Sequence, residues 1–110
     1  MKLLHEFAKE KVVNFIVFMA DAFGEAMVEG AMAKVVSMPA ISVLVMLDFL
    51  TPCLDAIKQK DLDKLGDKFD LFDVKKLAPV FSTATPEQQQ KFWRYMDCFA
   101  DCATNSEESN

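Results

Sequence analysis

Glycine and proline are scarce in this chain, three and four in 110 residues. An all-β domain turns about every 8–12 residues, and its turns draw on those two residue types. The shortage therefore argues against a sandwich or barrel. Histidine occurs once, at His5. A di-metal carboxylate bundle needs Glu-x-x-His pairs on two helices, so that centre cannot be built. A single histidine near a terminus is also a poor general base. Basic runs are missing; the longest is Lys75-Lys76. With a net charge of −5 and a pI near 4.7, the chain lacks the cations that neutralise nucleic-acid phosphates or hold an anionic bilayer. A basic protein partner suits the charge. The three cysteines are an odd number without framework spacing, which suits a reducing compartment, and a cytoplasmic location is expected. No Gly-x-Ser-x-Gly elbow, phosphate loop or dinucleotide fingerprint occurs.

Long hydrophobic runs are also absent. The longest, residues 35–47, lies between Lys34 and Asp48 and falls short of the roughly 20 residues of a membrane span. Paired with residues 12–23 it makes a membrane hairpin the second reading of the chain. The N-terminus loosely imitates a secretion signal: Lys2, Lys9 and Lys11 precede or edge the apolar "VVNFIVFMA", then "ADA". Glu6 and Glu10 dilute its positive region.

What is abundant is apolar bulk. Hydrophobic residues make up 52% of the chain, with ten Phe and seven Met. Phenylalanine contributes large buried area and methionine fills irregular gaps, so core is the first reading of that excess. An adaptable groove is the second.

Helical spacing governs the first segment. Leu4, Ala8, Val12, Phe15, Met19, Ala22, Ala26 and Ala33 recur on one side, and around Phe15 the apolar residues cover every face. Such a helix belongs at the centre of the fold. Gly24 and Gly30 mark a kink, a break or a close crossing. Ser37 and Pro39 read as the start of a second helix, and Thr51-Pro52 as the start of a third. Leu54, Ile57, Leu62 and Leu65 share a face of that third helix, with Gly66 as terminator. Asp73 caps a short helix interrupted by Pro79. Thr85-Pro86-Glu87-Gln88 is a capping box. The last helix should run from Pro86 to about Ala103, burying Phe92, Met96, Phe99 and Ala103, with Trp93 and Ala100 beside them. The expected fold is an all-α, compact bundle of four or five helices with a central, highly apolar helix. Residues 1–103 form the helical domain, and 104–110 a short, flexible polar tail.

The stretch "DLDKLGDKFDLF", residues 61–72, begins Asp-x-Asp and carries glycine sixth, as a calcium loop does. Leu65 stands where the fifth-place oxygen ligand belongs, and Phe72 where the bidentate Glu belongs. Calcium binding is rejected on those two positions.

Asp21, Glu25 and Glu29 are spaced i, i+4, i+8, one edge of a continuous helix. A solvated face is the plain reading; a docking rim for a basic partner is the sharper one. Ala22, Ala26 and Gly30 run beside them and suit a helix crossing or a self-association face. Cys98 and Cys102 lie one helical turn apart. With Cys53 and His5 they are the residue types of a zinc site, but not at its usual spacing, and no neighbour in sequence lowers a thiol pKa. No metal or other cofactor is expected. Phe69 and Phe72, among the acids of "DKFDLFDV", are candidate partner contacts if exposed and plugs of the core if not.

In size, acidity and helical content the chain resembles small phage or bacterial accessory proteins, assembly chaperones and inhibitors among them, a likeness of composition only. The expected function is that of a non-enzymatic interaction module acting on a protein partner or a second copy of itself. A small apolar-ligand binder is the third reading.

Overall fold

The computed structural model describes residues 3–68, 72 and 74–108. Among them are six α-helices, three 3-10 segments and no strand. The helices are α1 (Leu4–Phe23), α2 (Ala31–Ser37), α3 (Ala40–Met46), α4 (Leu54–Gln59), α5 (Val74–Phe81) and α6 (Pro86–Glu108). The all-α bundle expected from the periodicity is the fold observed. The bundle is built around α1, which packs against α2, α3, α5 and α6. α6 also lies on the 3-10 segment Leu47–Cys53.

α1 is central because its apolar residues recur on more than one face. Val12, Phe15, Ile16 and Met19 are almost wholly inaccessible, and Phe18 nearly so. The ring of Phe15 lies 5.3 Å from that of Phe99, 5.4 Å from Tyr95, and 5.9 Å from both Phe72 and Phe92. Phe92 continues the cluster to Phe81 and Trp93 at 5.1 and 5.0 Å. Tilted and edge-to-face pairs of this kind add about 0.5–1.5 kcal/mol each beyond burial. Much of the phenylalanine excess is thereby core. Burial of α1 is not complete, however. Val17 remains 48% exposed, and the edge carrying Asn14, Val17 and Asp21 borders an open groove.

The two glycines settle the course of the chain after α1. Gly24 adopts φ 102°, ψ 145° and ends the helix, its N–H reaching the Ala20 carbonyl at 3.0 Å. Gly30 is left-handed, with φ 79°. A Cβ placed on either would meet nothing within 4 Å. Their need for glycine is thus conformational, and neither permits a close helix crossing. The break also means that Asp21, Glu25 and Glu29 do not share one helix edge. Asp21 ends in α1, Glu25 opens a 3-10 turn, and Glu29 follows that turn. The stripe Ala22, Ala26, Gly30 is divided in the same way.

Two further boundaries differ from the sequence reading. Ser37 caps nothing ahead of it; it closes α2, and its hydroxyl donates to the Lys34 carbonyl at 2.9 Å. Pro39 stands just before α3, where its carbonyl accepts from Ser42 and Val43. The chain end of α2 is tied to α1 by Lys9, whose Nζ donates to the carbonyls of Met38 (2.8 Å) and Val36 (3.2 Å). A lysine there satisfies carbonyls that a helix C-terminus leaves free.

The third helix does not run to Gly66. α4 ends at Gln59, and Lys60 turns left-handed with φ 55°. Lys60 N–H reaches the Ile57 carbonyl at 3.1 Å, and Asp61 N–H the Ala56 carbonyl at 2.9 Å, the paired bonds of a Schellman ending. Glycine normally fills that position. Gly66 lies inside a second helical piece, the 3-10 segment Leu62–Lys68, with Leu65 buried beneath it. Lys60→Gly is therefore expected to raise stability by up to about 1 kcal/mol in urea denaturation, the left-handed strain being relieved. A lower midpoint would show that the lysine side chain offsets that strain.

α5 keeps Pro79 within its last turn. Asp73 and Phe69 lie outside the described residues. α6 begins as its sequence requires. Thr85 N–H bonds Gln88 Oε1 and Gln88 N–H bonds Thr85 Oγ1, both at 3.1 Å. Gln89 adds bonds from Nε2 to the carbonyls of Phe81 and Ala84, fixing the α5–α6 turn. The buried face of α6 is Phe92, Met96, Phe99 and Ala103, as the spacing predicts. Its helical backbone extends past that face to Glu108.

Candidate functional site

The residues singled out by sequence separate in space. Phe72 is 6% exposed and packs on Phe15 and Phe92. It is core, not a contact surface, because its ring lies among those of α1 and α6. The zinc set does not assemble. Cys53 is buried, with its thiol 3.6 Å from the Leu65 carbonyl, and no group of three His, Cys, Asp or Glu among the described residues lies close enough to hold a metal ion. Glu25, Ala26, Glu29 and Gly30 are exposed around the α1–α2 connection.

Asp21 and Ala22 have a different setting. They line an open groove of about 620 Å³ between the outer edge of α1 and the start of α6. Val17, Phe18, Ala22 and Tyr95 give it apolar surface, and Asp21 and Glu87 stand as carboxylates along it. Phe18 and Tyr95 stack with ring centroids 5.6 Å apart. Lys91 lies 5.2 Å over the Phe18 ring, leaving its aromatic face covered by a cation, a contact of modest strength at an exposed site. Helix spacing explains the site. Asn14, Val17, Phe18 and Asp21 fall on one side of α1, and the capping box at Thr85 presents Glu87 and Gln88 opposite them.

The groove continues along α6 into a second one of about 560 Å³, lined by Lys11, Gln90, Lys91, Arg94, Tyr95 and Cys98 besides Glu87. Here the balance of charge reverses. Three cations, Lys11, Lys91 and Arg94, face one carboxylate. The Cys98 thiol is held down to about 7, chiefly by an S–H hydrogen bond from Cys102 and further by Lys11, against burial and Asp101. Cys102 is pushed up by donating that bond and by burial. Tyr95 is raised by burial and by the negative charge on Cys98, so it stays a neutral hydroxyl. The sequence reading missed Lys11 as a partner of Cys98, since the pair lie on α1 and α6 and no local spacing connects them.

Exposed aliphatic side chains also stand on α2 and α3. Val36, Ile41 and Val45 are 58%, 54% and 59% exposed, with Ile41 and Val45 one turn apart. No helix among the described residues is long and apolar enough to cross a membrane. No protein-family model matches the chain, and neither a curated protein nor a solved structure matches it.

Proposed function

We propose that the protein is a non-enzymatic interaction module that receives a basic, partly apolar segment of another protein in the groove between α1 and α6. The observation that carries this reading is the exposed Val17 edge of the central helix, flanked by Asp21 and Glu87. An aliphatic residue left half in solvent on the most buried helix, between two carboxylates, suits an amphipathic partner with Lys or Arg beside its apolar face. The net charge of −5 favours the same encounter at long range. The grooves described are open and edged by charge, which suits a peptide better than an enclosed small apolar ligand.

Calorimetric titration with two synthetic amphipathic helices, one of Leu and Lys and one of Leu and Glu, tests the proposal. The basic peptide is expected to bind and to weaken with salt. Asp21→Lys combined with Glu87→Lys should weaken it roughly tenfold with no change in thermal stability, both residues being exposed. Glu25→Lys with Glu29→Lys, outside the groove, should change it much less. Equal affinity for the two peptides, or an unchanged affinity in the groove variant, removes this reading.

A second reading is self-association through Val36, Ile41 and Val45, since these three aliphatic side chains of α2 and α3 are each more than half exposed. Light scattering separates the two. A dimer that Ile41→Lys dissociates supports self-association, and a monomer at all concentrations rejects it.

A further inference from the structure

The two grooves along α6 form one trench, because Glu87, Lys91 and Tyr95 line both. Its walls are the facing edges of two helices that run in opposite directions. Asp21 of α1 stands with Thr85 and Glu87 at the start of α6, whereas Lys11 stands with Arg94 and Cys98 further along it. Lys11, Asn14, Phe18 and Asp21 fall on one edge of α1 by helical spacing, and Glu87, Lys91 and Arg94 on one edge of α6. At 1.5 Å of rise per residue, Lys11 and Asp21 lie about 15 Å apart along the axis of α1.

Charge is therefore sorted along the trench. The carboxylates of Asp21 and Glu87 hold one end, and the cations of Lys11 and Arg94 the other. None of these four has an ion-pair partner among the described residues. Lys91 lies between the ends, 5.2 Å over the Phe18 ring. The floor is apolar, formed by Val17 and the paired rings of Phe18 and Tyr95. A segment basic throughout satisfies only one end. Its remaining cations would face Lys11 and Arg94, and like charges set opposite each other weaken an interface. A segment acidic throughout fails at the other end for the same reason.

We propose that the segment received here is charge-polar: an amphipathic helix of about three turns, with Lys or Arg beside Asp21 and Glu87, an apolar face over Val17 and Phe18, and Asp or Glu beside Lys11 and Arg94. The inference rests on the reading of the groove as a peptide site and adds the order of charge along its occupant. That order decides which way the segment lies. The apolar floor provides the burial, and the charges at the two ends set orientation and register.

The test titrates the full chain at low salt with helical peptides of equal length and a common leucine face. One carries Glu in its first half and Lys in its second, another carries them in the reverse order, and a third carries Lys throughout. The tighter of the two segregated peptides is expected to bind roughly tenfold more strongly than the all-Lys peptide. A nitroxide on its Lys end should broaden the amide signals of Asp21 and Glu87, and one on its Glu end those of Lys11 and Arg94. Lys11→Gln with Arg94→Gln should weaken the segregated peptide roughly tenfold and tighten the all-Lys peptide. An unfolded variant would lose both peptides, and the label measurement, made on the unaltered chain, does not depend on it. An all-Lys peptide that binds as tightly as the segregated ones, or labels that broaden both ends alike, overturns this proposal and leaves the basic-segment reading standing. Binding by none of the three removes both. A dimer of the free chain that Asp21→Lys with Glu87→Lys dissociates gives the trench to a second copy and also overturns the proposal.

Discussion

Phe15→Ala is expected to destabilise the fold by about 3–5 kcal/mol, the range for emptying a large aromatic site in a core. Phe15 is wholly buried and its ring meets those of Phe72, Phe92, Tyr95 and Phe99. These neighbours come from α6 and from the connector before α5, so no single element can move in to close the cavity. The loss should therefore fall at the upper end of the range. Native domains are stable by about 5–15 kcal/mol in total, so the variant should retain little margin. Urea denaturation followed by circular dichroism gives the measurement. A midpoint shift equivalent to less than about 1.5 kcal/mol would mean that the cluster is not the centre of the core. Phe15→Leu, which keeps most of the volume, should recover a large part of the loss.

The parts of the fold legible in the sequence are those specified over a few residues. α6 is the clearest. Its capping box is a pair of bonds three residues apart, and its buried face repeats at helical spacing. The central place of α1 follows from apolar residues on all its sides. The ends of elements were harder to read. Lys60 is left-handed without any residue type that announces it, and the tertiary packing of Ile57 and Leu65 carries that local cost. Apolar residues on either side of Lys60 fall by coincidence at continuous helical spacing, which hides the break before Gly66. Serine suits both ends of a helix, and only the direction of the Ser37 hydrogen bond, back to Lys34, assigns it to the end of α2.

The candidate site was legible only in part, for a related reason. Asp21 and Ala22 do line the groove, yet not as members of i, i+4, i+8 stripes, since Gly24 ends α1 between Asp21 and Glu25. Their true companions, Glu87 and Tyr95, stand on α6. The reversal of charge from Asp21 and Glu87 to Lys11 and Arg94 arises from two helix edges meeting. It has no expression in either segment alone.

Phe72→Ala separates a core plug from a binding anchor, and the two roles make opposite forecasts. As an anchor, the residue would lose partner affinity and leave stability alone. As part of the core, it should cost about 3 kcal/mol or more of stability, with the exposed groove surface unaltered. The second outcome is expected, because the ring is 6% exposed and lies 5.9 and 5.8 Å from Phe15 and Phe92. The effect should be somewhat smaller than for Phe15, since the Phe15 ring meets those of Tyr95 and Phe99 as well. A double-mutant cycle with Phe92→Ala tests the contact directly. Residues in one packed cluster should couple by about 0.5–3 kcal/mol, so the double variant should be less damaged than the sum of the single ones. Additive losses would place Phe72 outside the cluster. They would also return the acidic-aromatic connector to consideration as a docking segment.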